Sequence, residues 1–402
     1  MLTPLRGLEI CRSCRNVTQS LERSAQLPPP ASQPLGHARA WRSAVPTNPP
    51  AGHEPDGGLG RGEPVSPPAA RIAVTGPQTR DHIHHHRHPP GGGGPTGSLS
   101  TLEVAFQEEC NPGLDCTNAV GIDKLLYQFP LGGGFTATVG GRVGQDDMLA
   151  LWPSAYPADT ILDLFTLSGA PAAYNKNQGP GAGLWWRQGG FSISANDVAA
   201  NGAVGDPSLG GIGTRSSAGT GTVQVGYAKE RWGLAAIYSR LQSDVDVPGA
   251  TPFTTLAYQD NPDSRTDAFG LSGFWRPAAA GWFPSISAGW GIDGTSYGTP
   301  QAPGALRTSQ SWMVGLQWND AFVKGNALGM AVGQPSFATA LTGGQTPQDG
   351  TFAWEWWYKL QLSDHISVTP ALFYLSRPLG QDTAPGTSLR QLGGLVKTSF
   401  HF

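Results

Sequence analysis

The 402-residue chain offers few side chains in patterns that perform covalent chemistry. Gly294-Thr-Ser-Tyr-Gly298 fits the G-x-S-x-G form of a nucleophile elbow. That motif needs a strand-to-helix turn, and a histidine with a partner carboxylate to activate the serine. Here it falls in a loop between two strand patterns and no such histidine serves Ser296, so coincidence is the better reading. Cys11-Arg-Ser-Cys14 is a single C-x-x-C, whereas a structural zinc site needs two further ligands at defined spacing. His82, His84, His85, His86 and His88 could hold a soft divalent metal loosely, but nothing around them fixes a geometry. There is no H-E-x-x-H and no G-x-x-x-x-G-K-[ST]. Gly179-Pro-Gly-Ala-Gly183 precedes a strand pattern, so it provides no phosphate cradle at a helix start. Neither catalysis, a cofactor nor a metal is expected.

What remains is chemistry by charge and by apolar surface, and that depends on which face of which element carries each side chain. Composition divides the chain. Only 14% of residues are charged and Gly and Pro number 56 and 35, against roughly 25% charged in an average soluble domain. Residues 1–100 carry ten Arg, no Lys and a single aromatic, Trp41. This Pro/Gly/Arg/His-rich segment buries too little apolar surface to offset chain entropy, so it is expected to be disordered. Residues 101–402 hold the remaining aromatics and form one expected domain, the boundary falling near Gly91–Pro95. The chain has a net charge of -3, which gives no electrostatic reason to expect a nucleic-acid partner. No apolar run reaches the length of a membrane helix, which leaves a β-barrel open, since its strands alternate.

Residues 101–402 alternate repeatedly. Phe191, Ile193 and Ala195 interleave with Ser192, Ser194 and Asn196; Val223, Val225 and Tyr227 with Thr222, Gln224 and Gly226. The longest stripe runs Phe352, Trp354, Trp356, Tyr358, Leu360, Leu362. Period two predicts strands with one apolar and one polar face. Short turns at 132–134, 188–189, 229–230, 277–281, 319–320 and 363–364 alternate with longer stretches at 144–180, 199–219, 241–266, 293–308, 333–350 and 377–387. Tight turns on one side and long loops on the other are the signature of an antiparallel up-and-down transmembrane barrel. Hairpin counting gives 13 strands from Ile122 onward. An even barrel needs another upstream, for which 101–107 would serve, making at least 14. The loop between them would then hold Cys110 and Cys116, either a disulfide or two free thiols.

With the apolar face toward lipid, Lys124, Arg142, Lys324, Glu355, Lys359 and Lys397 fall on the lumen side as pore-lining candidates. The 144–180 loop carries Asp146, Asp147, Asp159 and Asp163 against one base, Lys176. Folded inward, those acids would face basic wall residues across a constriction. Lying outside, both sets would simply be solvated, which is the plainer expectation. Trp185, Trp232, Trp275, Trp282, Trp290, Trp318 and Trp354 suit an interfacial aromatic girdle, and Trp357, on the polar face, is the one candidate for stacking on a sugar. Phe400 and Phe402 end the chain on one face of a final amphipathic strand, as an outer-membrane assembly signal would.

Longer stretches resemble a family. They include Asp123-Lys-Leu-Leu-Tyr-Gln-Phe-Pro130, Asp146-Asp-Met-Leu-Ala-Leu-Trp-Pro-Ser-Ala-Tyr-Pro157, Trp282-Phe-Pro-Ser-Ile-Ser-Ala-Gly-Trp290 and Lys324-Gly-Asn-Ala-Leu-Gly-Met-Ala-Val-Gly-Gln-Pro335. Trp185-Trp186, Gly221-Thr-Val-Gln-Val-Gly-Tyr227, Ala353-Trp-Glu-Trp-Trp357 and Ser367-Val-Thr-Pro-Ala-Leu-Phe-Tyr-Leu-Ser-Arg-Pro-Leu-Gly380 complete the set. These are similar to the cyanobacterial outer-membrane porins grouped with OprB-type carbohydrate-selective and iron-uptake porins. The resemblance implies a barrel nearer 16 strands, a passive channel for small hydrophilic solutes (sugars, inorganic ions, in some members iron), outer-membrane lipid and assembly machinery as partners, and a homotrimer. It departs from that family in residues 1–100, which match neither its S-layer homology part nor its early strands, so the barrel part is expected to be N-terminally truncated. Two rival readings stand beside it: a soluble all-β enzyme acting on glycans, and a structural outer-membrane barrel with a plugged lumen.

Overall fold

The computed structural model describes residues 69–75, 121–156, 161–259 and 263–400. Among them, 14 strands form one sheet in chain order, each antiparallel to its sequence neighbours. The first five are β1 (Ala69–Thr75), β2 (Gly121–Gly132), β3 (Phe135–Gly144), β4 (Gln178–Gln188) and β5 (Phe191–Ala199). Next come β6 (Gly219–Ala228), β7 (Trp232–Gln242), β8 (Arg265–Trp275), β9 (Ser285–Ser296) and β10 (Leu306–Asn319). The last are β11 (Ala327–Leu341), β12 (Ala353–Ser363), β13 (Ile366–Leu375) and β14 (Gln391–Phe400), and a short helix α1 (Pro252–Gln259) lies between β7 and β8.

The strands from Gly121 onward are those the alternation predicts, and the fold is the expected all-β, antiparallel up-and-down arrangement. The upstream strand lies elsewhere. β1 pairs with β2 from Ala69 opposite Gln128 to Thr75 opposite Gly121, inside the segment expected to be disordered. Residues 101–107 lie outside the described residues. The averaged composition of residues 1–100 hid Ala-Ala-Arg-Ile-Ala-Val-Thr, a short β-favouring run between Pro67-Pro68 and Gly76-Pro77.

Turn chemistry fixes the tight rim. Between β4 and β5 the two-residue turn Gly189-Gly190 has φ of +61° and +94° at both central positions, the left-handed pair that a twisted hairpin of this length requires. The length alternation fails at one hairpin, where the 276–284 turn is as long as the 297–305 loop. The alternation of direction, set by antiparallel pairing, is unaffected.

Burial is inverted relative to a soluble sheet. On β5, Phe191 and Ile193 are 56% and 48% exposed while Ser192 and Ser194 are buried; on β6, Val223 and Val225 are exposed while Thr222 and Gln224 are buried. Register joins these residues into rows. One outward row runs Trp186, Ile193, Val225, Ala236, Leu271, Trp290, Trp312 from β4 to β10. In water so continuous an apolar surface would drive association; facing lipid it is the stable arrangement.

The polar face is concave, because one loop touches most of it. Residues 145–177 leave β3 and bond in turn to Ser194 of β5, Thr222 of β6, Ser239 of β7, Ser272 of β8, Ser287 of β9, Ser311 of β10 and Glu355 of β12. Strands so far apart in the sheet meet one loop only if the sheet curls around it. β9 accepts the loop by having no side chain there. A Cβ on Gly289 would strike the Ser168 carbonyl, and one on Gly169 the Gly289 backbone.

Gly289→Val should therefore lift the loop, costing about 1–3 kcal/mol as an overpacked contact does. The temperature at which the folded, faster-migrating gel band converts to the unfolded one would fall. Gly294→Val, with nothing within 4 Å of its Cβ, should leave that temperature unchanged.

Candidate functional site

The concave face and its two inward loops form the candidate site. Wall hydroxyls satisfy the loop's backbone. Ser239 Oγ donates to Ala173 O at 2.7 Å, Ser272 Oγ to Ser168 O at 2.7 Å and Ser311 Oγ to Gly169 O at 3.0 Å. In the other sense, Ala150 N donates to Ser194 Oγ at 2.8 Å, and Ala155 N and Tyr156 N to Ser287 Oγ at 2.8 and 2.9 Å. Gln145, fully buried, anchors the loop's start: its Nε2 reaches Ala173 O, Thr222 Oγ1 and Ser239 Oγ, and its backbone N bonds Asn177 O at the loop's end. Small hydroxylic residues on alternate strand positions make this possible, since a larger side chain would hold the loop off the wall.

The carboxylate of Glu355, fully buried on β12, fixes the middle of the loop. It accepts from Tyr156 Oη at 2.5 Å and from Leu162 N at 2.8 Å. Trp357 Nε1 donates to the same Tyr156 hydroxyl at 2.7 Å. Trp357 is 3% exposed beneath the loop, so it is a loop support and no platform for a sugar. Around this latch Ile161, Leu162, Leu164 and Phe165 pack on Ala371, Phe373 and Leu375 of β13.

The remaining predicted residues separate. Lys124 lies on the concave side with its Nζ 2.7 Å from Asp147 Oδ1 and 4.0 Å from Asp146 Oδ2. Asp147 also accepts from Gly144 N. This is a loop acid against a wall base, in the arrangement expected of an inward loop. Asp163 is 3.9 Å from Lys176 of the same loop. Lys397 pairs in register with buried Thr369, and Lys359 pairs with Ala327 on the face of Trp357. The pairings Trp357–Ala371 and Leu360–Val368 bring Lys359 to the other side of Thr369, so two lysines flank it on the turn side of the loop.

Two lumen assignments are corrected. A register shift between Gly140 and Val143 puts Arg142 opposite Leu125, which is 45% exposed on the convex face. Its Nε bonds Gln178 Oε1 there at 3.3 Å. Simple alternation cannot foresee such a bulge. Lys324 is exposed in the 320–326 turn, because β11 begins only at Ala327. Trp185, opposite buried Ser194, is concave, and Trp186 is the lipid-facing member of the pair. Phe400 is 59% exposed on the convex face. Asp159, Cys110, Cys116 and Phe402 lie outside the described residues.

Sequence reasoning missed the second inward loop, 243–264. Its helix α1 packs Ala257, Tyr258 and Phe253 against Tyr174 and wall residues Ile237, Leu241 and Ala338. Asp349 ties it to two other loops. Its carboxylate accepts from Thr251 Oγ1, Thr254 Oγ1, Ala338 N and Gln381 N at 2.5–3.0 Å. A carboxylate flanked by no base gives no sequence signal for such a role. Nearby in the 376–390 loop, burial and the Asp349 charge push the Asp382 carboxyl above its ordinary value. Among the described residues, no group of three or more His, Cys, Asp or Glu could hold a metal ion.

No family model matches the chain. It is similar to an uncharacterised protein of Synechocystis sp., 26% identical over 309 residues that make up 71% of this chain and 55% of that protein. An uncharacterised protein of Nostoc sp. is 26% identical over 316 residues, 71% of this chain and 51% of that one. The chain thus spans about half the length of the curated relatives it matches. Among solved structures it is similar to Pseudomonas putida OprB at high pH, with TM-score 0.48, 13% identity, and 83% of this chain and 82% of that chain covered. It is also similar to OmpT of Vibrio cholerae (TM-score 0.44, 8% identity, 70% and 82% covered) and to an anion-selective porin from Comamonas acidovorans (TM-score 0.38, 12% identity, 69% and 89% covered). With an apolar convex face, a polar concave face, tight turns at one rim and long loops at the other, the sheet is the wall of an integral outer-membrane barrel.

Glu355→Ala should strand the Leu162 amide and the Tyr156 hydroxyl at a cost of about 3 kcal/mol, read as faster proteolytic cleavage within 145–177; Glu355→Gln should fall between. Asp382→Asn should act in the opposite direction. A carboxyl raised in the fold destabilises it when ionised, above its unfolded value, and not below it. The substitution should raise the unfolding temperature slightly at pH 7 and leave it unchanged near pH 3.

Proposed function

We propose that the chain forms an outer-membrane porin, a water-filled channel for passive diffusion of small hydrophilic solutes such as sugars and inorganic ions. The observation that carries this is the inward loop 145–177, whose acids Asp146 and Asp147 meet Lys124 of the wall. In this reading selectivity comes from width and lining charge. Of the predicted wall charges, Lys124, Lys359, Lys397 and Glu355 face inward, Glu355 being spent on holding the loop, and Arg187 and the buried Asp293 join them on the concave face. Lys359 and Lys397 give the turn side of the passage a positive lining. The sequence resemblance supports extending the proposal to a homotrimer, to assembly through the Phe400 strand end, to solutes that include iron, and to kinship with the OprB-type porins.

A second reading, a structural barrel with its lumen plugged, is favoured by how much apolar side chain the two loops bring inside, Phe165, Tyr174 and Tyr258 being buried there. Reconstitution into a planar bilayer separates the two. Stepwise conductance is expected of the channel, and a silent, fully folded protein would favour the plug. In a conducting protein, Asp146→Asn with Asp147→Asn should remove two negative charges beside Lys124 and move the reversal potential toward anion preference. An unchanged reversal potential would remove the loop acids from the permeation path.

A further inference from the structure

The convex face carries one feature that a uniform lipid-facing wall does not explain. Across β3 to β6 the register alternates small residues with large ones in two adjacent rows: Ala137, Leu184, Ala195 and Val223 in one, Val139, Ala182, Asp197 and Gly221 in the next. The missing side chains leave a mainly apolar groove of about 770 Å³, within the roughly 300–1,000 Å³ range of small-molecule sites.

Charge stands at one end of this groove. Asp197 projects from the same face of β5 as Ile193 and is exposed. In register it lies between Ala182 and Gly221, and among the described residues its carboxylate has no hydrogen-bond or ion-pair partner. Beyond Gly221 the next residue in the row is Arg240. Its side chain is 57% exposed and its Nη1 lies 3.9 Å from Asp267, a carboxylate that also accepts from Tyr238 Oη at 2.6 Å. Most of Arg240's donors are thus left for another partner. Asp197 and Arg240 are two strand spacings apart, roughly 10 Å, with no side chain between them. The groove wall continues from Asp197 through Ala195 and Ile193 toward the turn rim, ~20 Å away along β5.

A carboxylate on a lipid-facing wall is costly unless a cation meets it. A guanidinium in the same setting matches phosphate geometry. One ligand class meets both and also fills an apolar trough. We propose that this groove binds one phospholipid with a zwitterionic headgroup, its ammonium on Asp197, its phosphate on Arg240 over Gly221, and an acyl chain along the trough. The site is independent of whether the lumen conducts.

Native mass spectrometry of the detergent-purified protein, titrated with phosphatidylethanolamine or phosphatidylglycerol, tests it. The protein should retain one phosphatidylethanolamine per chain and bind phosphatidylglycerol at least tenfold more weakly. Gly221→Trp, which fills the trough, should weaken retention of phosphatidylethanolamine at least tenfold. Asp197→Asn, which changes no volume, should abolish the preference between the two lipids, and it carries the test alone if Gly221→Trp loses its heat-modifiable gel migration. Equal binding of both lipids by the unaltered protein, or full retention by a folded Gly221→Trp, would overturn the proposal. So would an oligomer that holds no lipid and dissociates on Gly221→Trp, since a second copy would then occupy the groove.

Discussion

The constraint on which this structure depends is that an irregular loop inside a barrel brings its peptide groups out of water, and each must find a partner there. An unpaired buried amide or carbonyl costs about 1–3 kcal/mol, so a long buried loop is stable only against a wall made of acceptors and donors. The concave face is such a wall. Ser194, Ser239, Ser272, Ser287 and Ser311 stand where a soluble sheet would carry Val or Leu, and each bonds the backbone of 145–177. The loop's apolar side chains then make a core of their own, Phe165 and Tyr174 among them. The sheet's curvature follows from the same contacts, because the partners run from β5 to β12.

The outer face obeys the complementary rule. With hydroxyls committed inward, period two sends Ile193, Val225, Leu271 and Trp290 outward, and only lipid leaves them stable. Charge breaks the rule at Arg142, Asp197, Arg240 and Asp267, and between Asp197 and Arg240 the intervening residue also shrinks to Gly221. Charge and missing side-chain volume coincide between Asp197 and Arg240, and the proposed lipid site rests on that coincidence.

What the sequence disclosed is what local pattern controls. Period two located the strands from β2 to β14, Gly-Gly pairs located tight turns, and counting hairpins required one more strand upstream. Averaging over residues 1–100 misplaced that strand, because seven β-favouring residues disappear in a Pro- and Gly-rich hundred. Arg142 was assigned to the wrong face because a bulge adds a residue that alternation cannot register. Lys324 was assigned to a strand that starts three residues later. The site was less legible still. Glu355 is 199 positions from Tyr156 and 193 from Leu162, and no local signal spans that distance. Trp357 read as an exposed platform since its covering residue is equally remote. The acidic loop and the basic wall were both visible as composition; that Lys124 meets Asp147 depended on the loop turning inward, for which the Ser and Thr positions were the available sign.

The manner of that inward turn bears on the proposed channel. A gate needs a segment whose two positions differ by a few kcal/mol. The 145–177 loop is instead bonded at its start by Gln145, at its middle by Glu355 and along its length by wall serines, and Gly169 lies on Gly289 with no room for a Cβ. Lifting it would expose several buried peptide groups and two apolar clusters together. It therefore acts as part of the wall, and any route for solute runs beside it. On the turn side that route passes Lys359 and Lys397 around Thr369, where the register leaves positive charge facing inward below the loop. In the proposed channel, width is set by the side chains the loop presents, and charge preference by the inward-facing charges together, among them Lys124 beside Asp146 and Asp147, Arg187, Lys359, Lys397 and the buried Asp293.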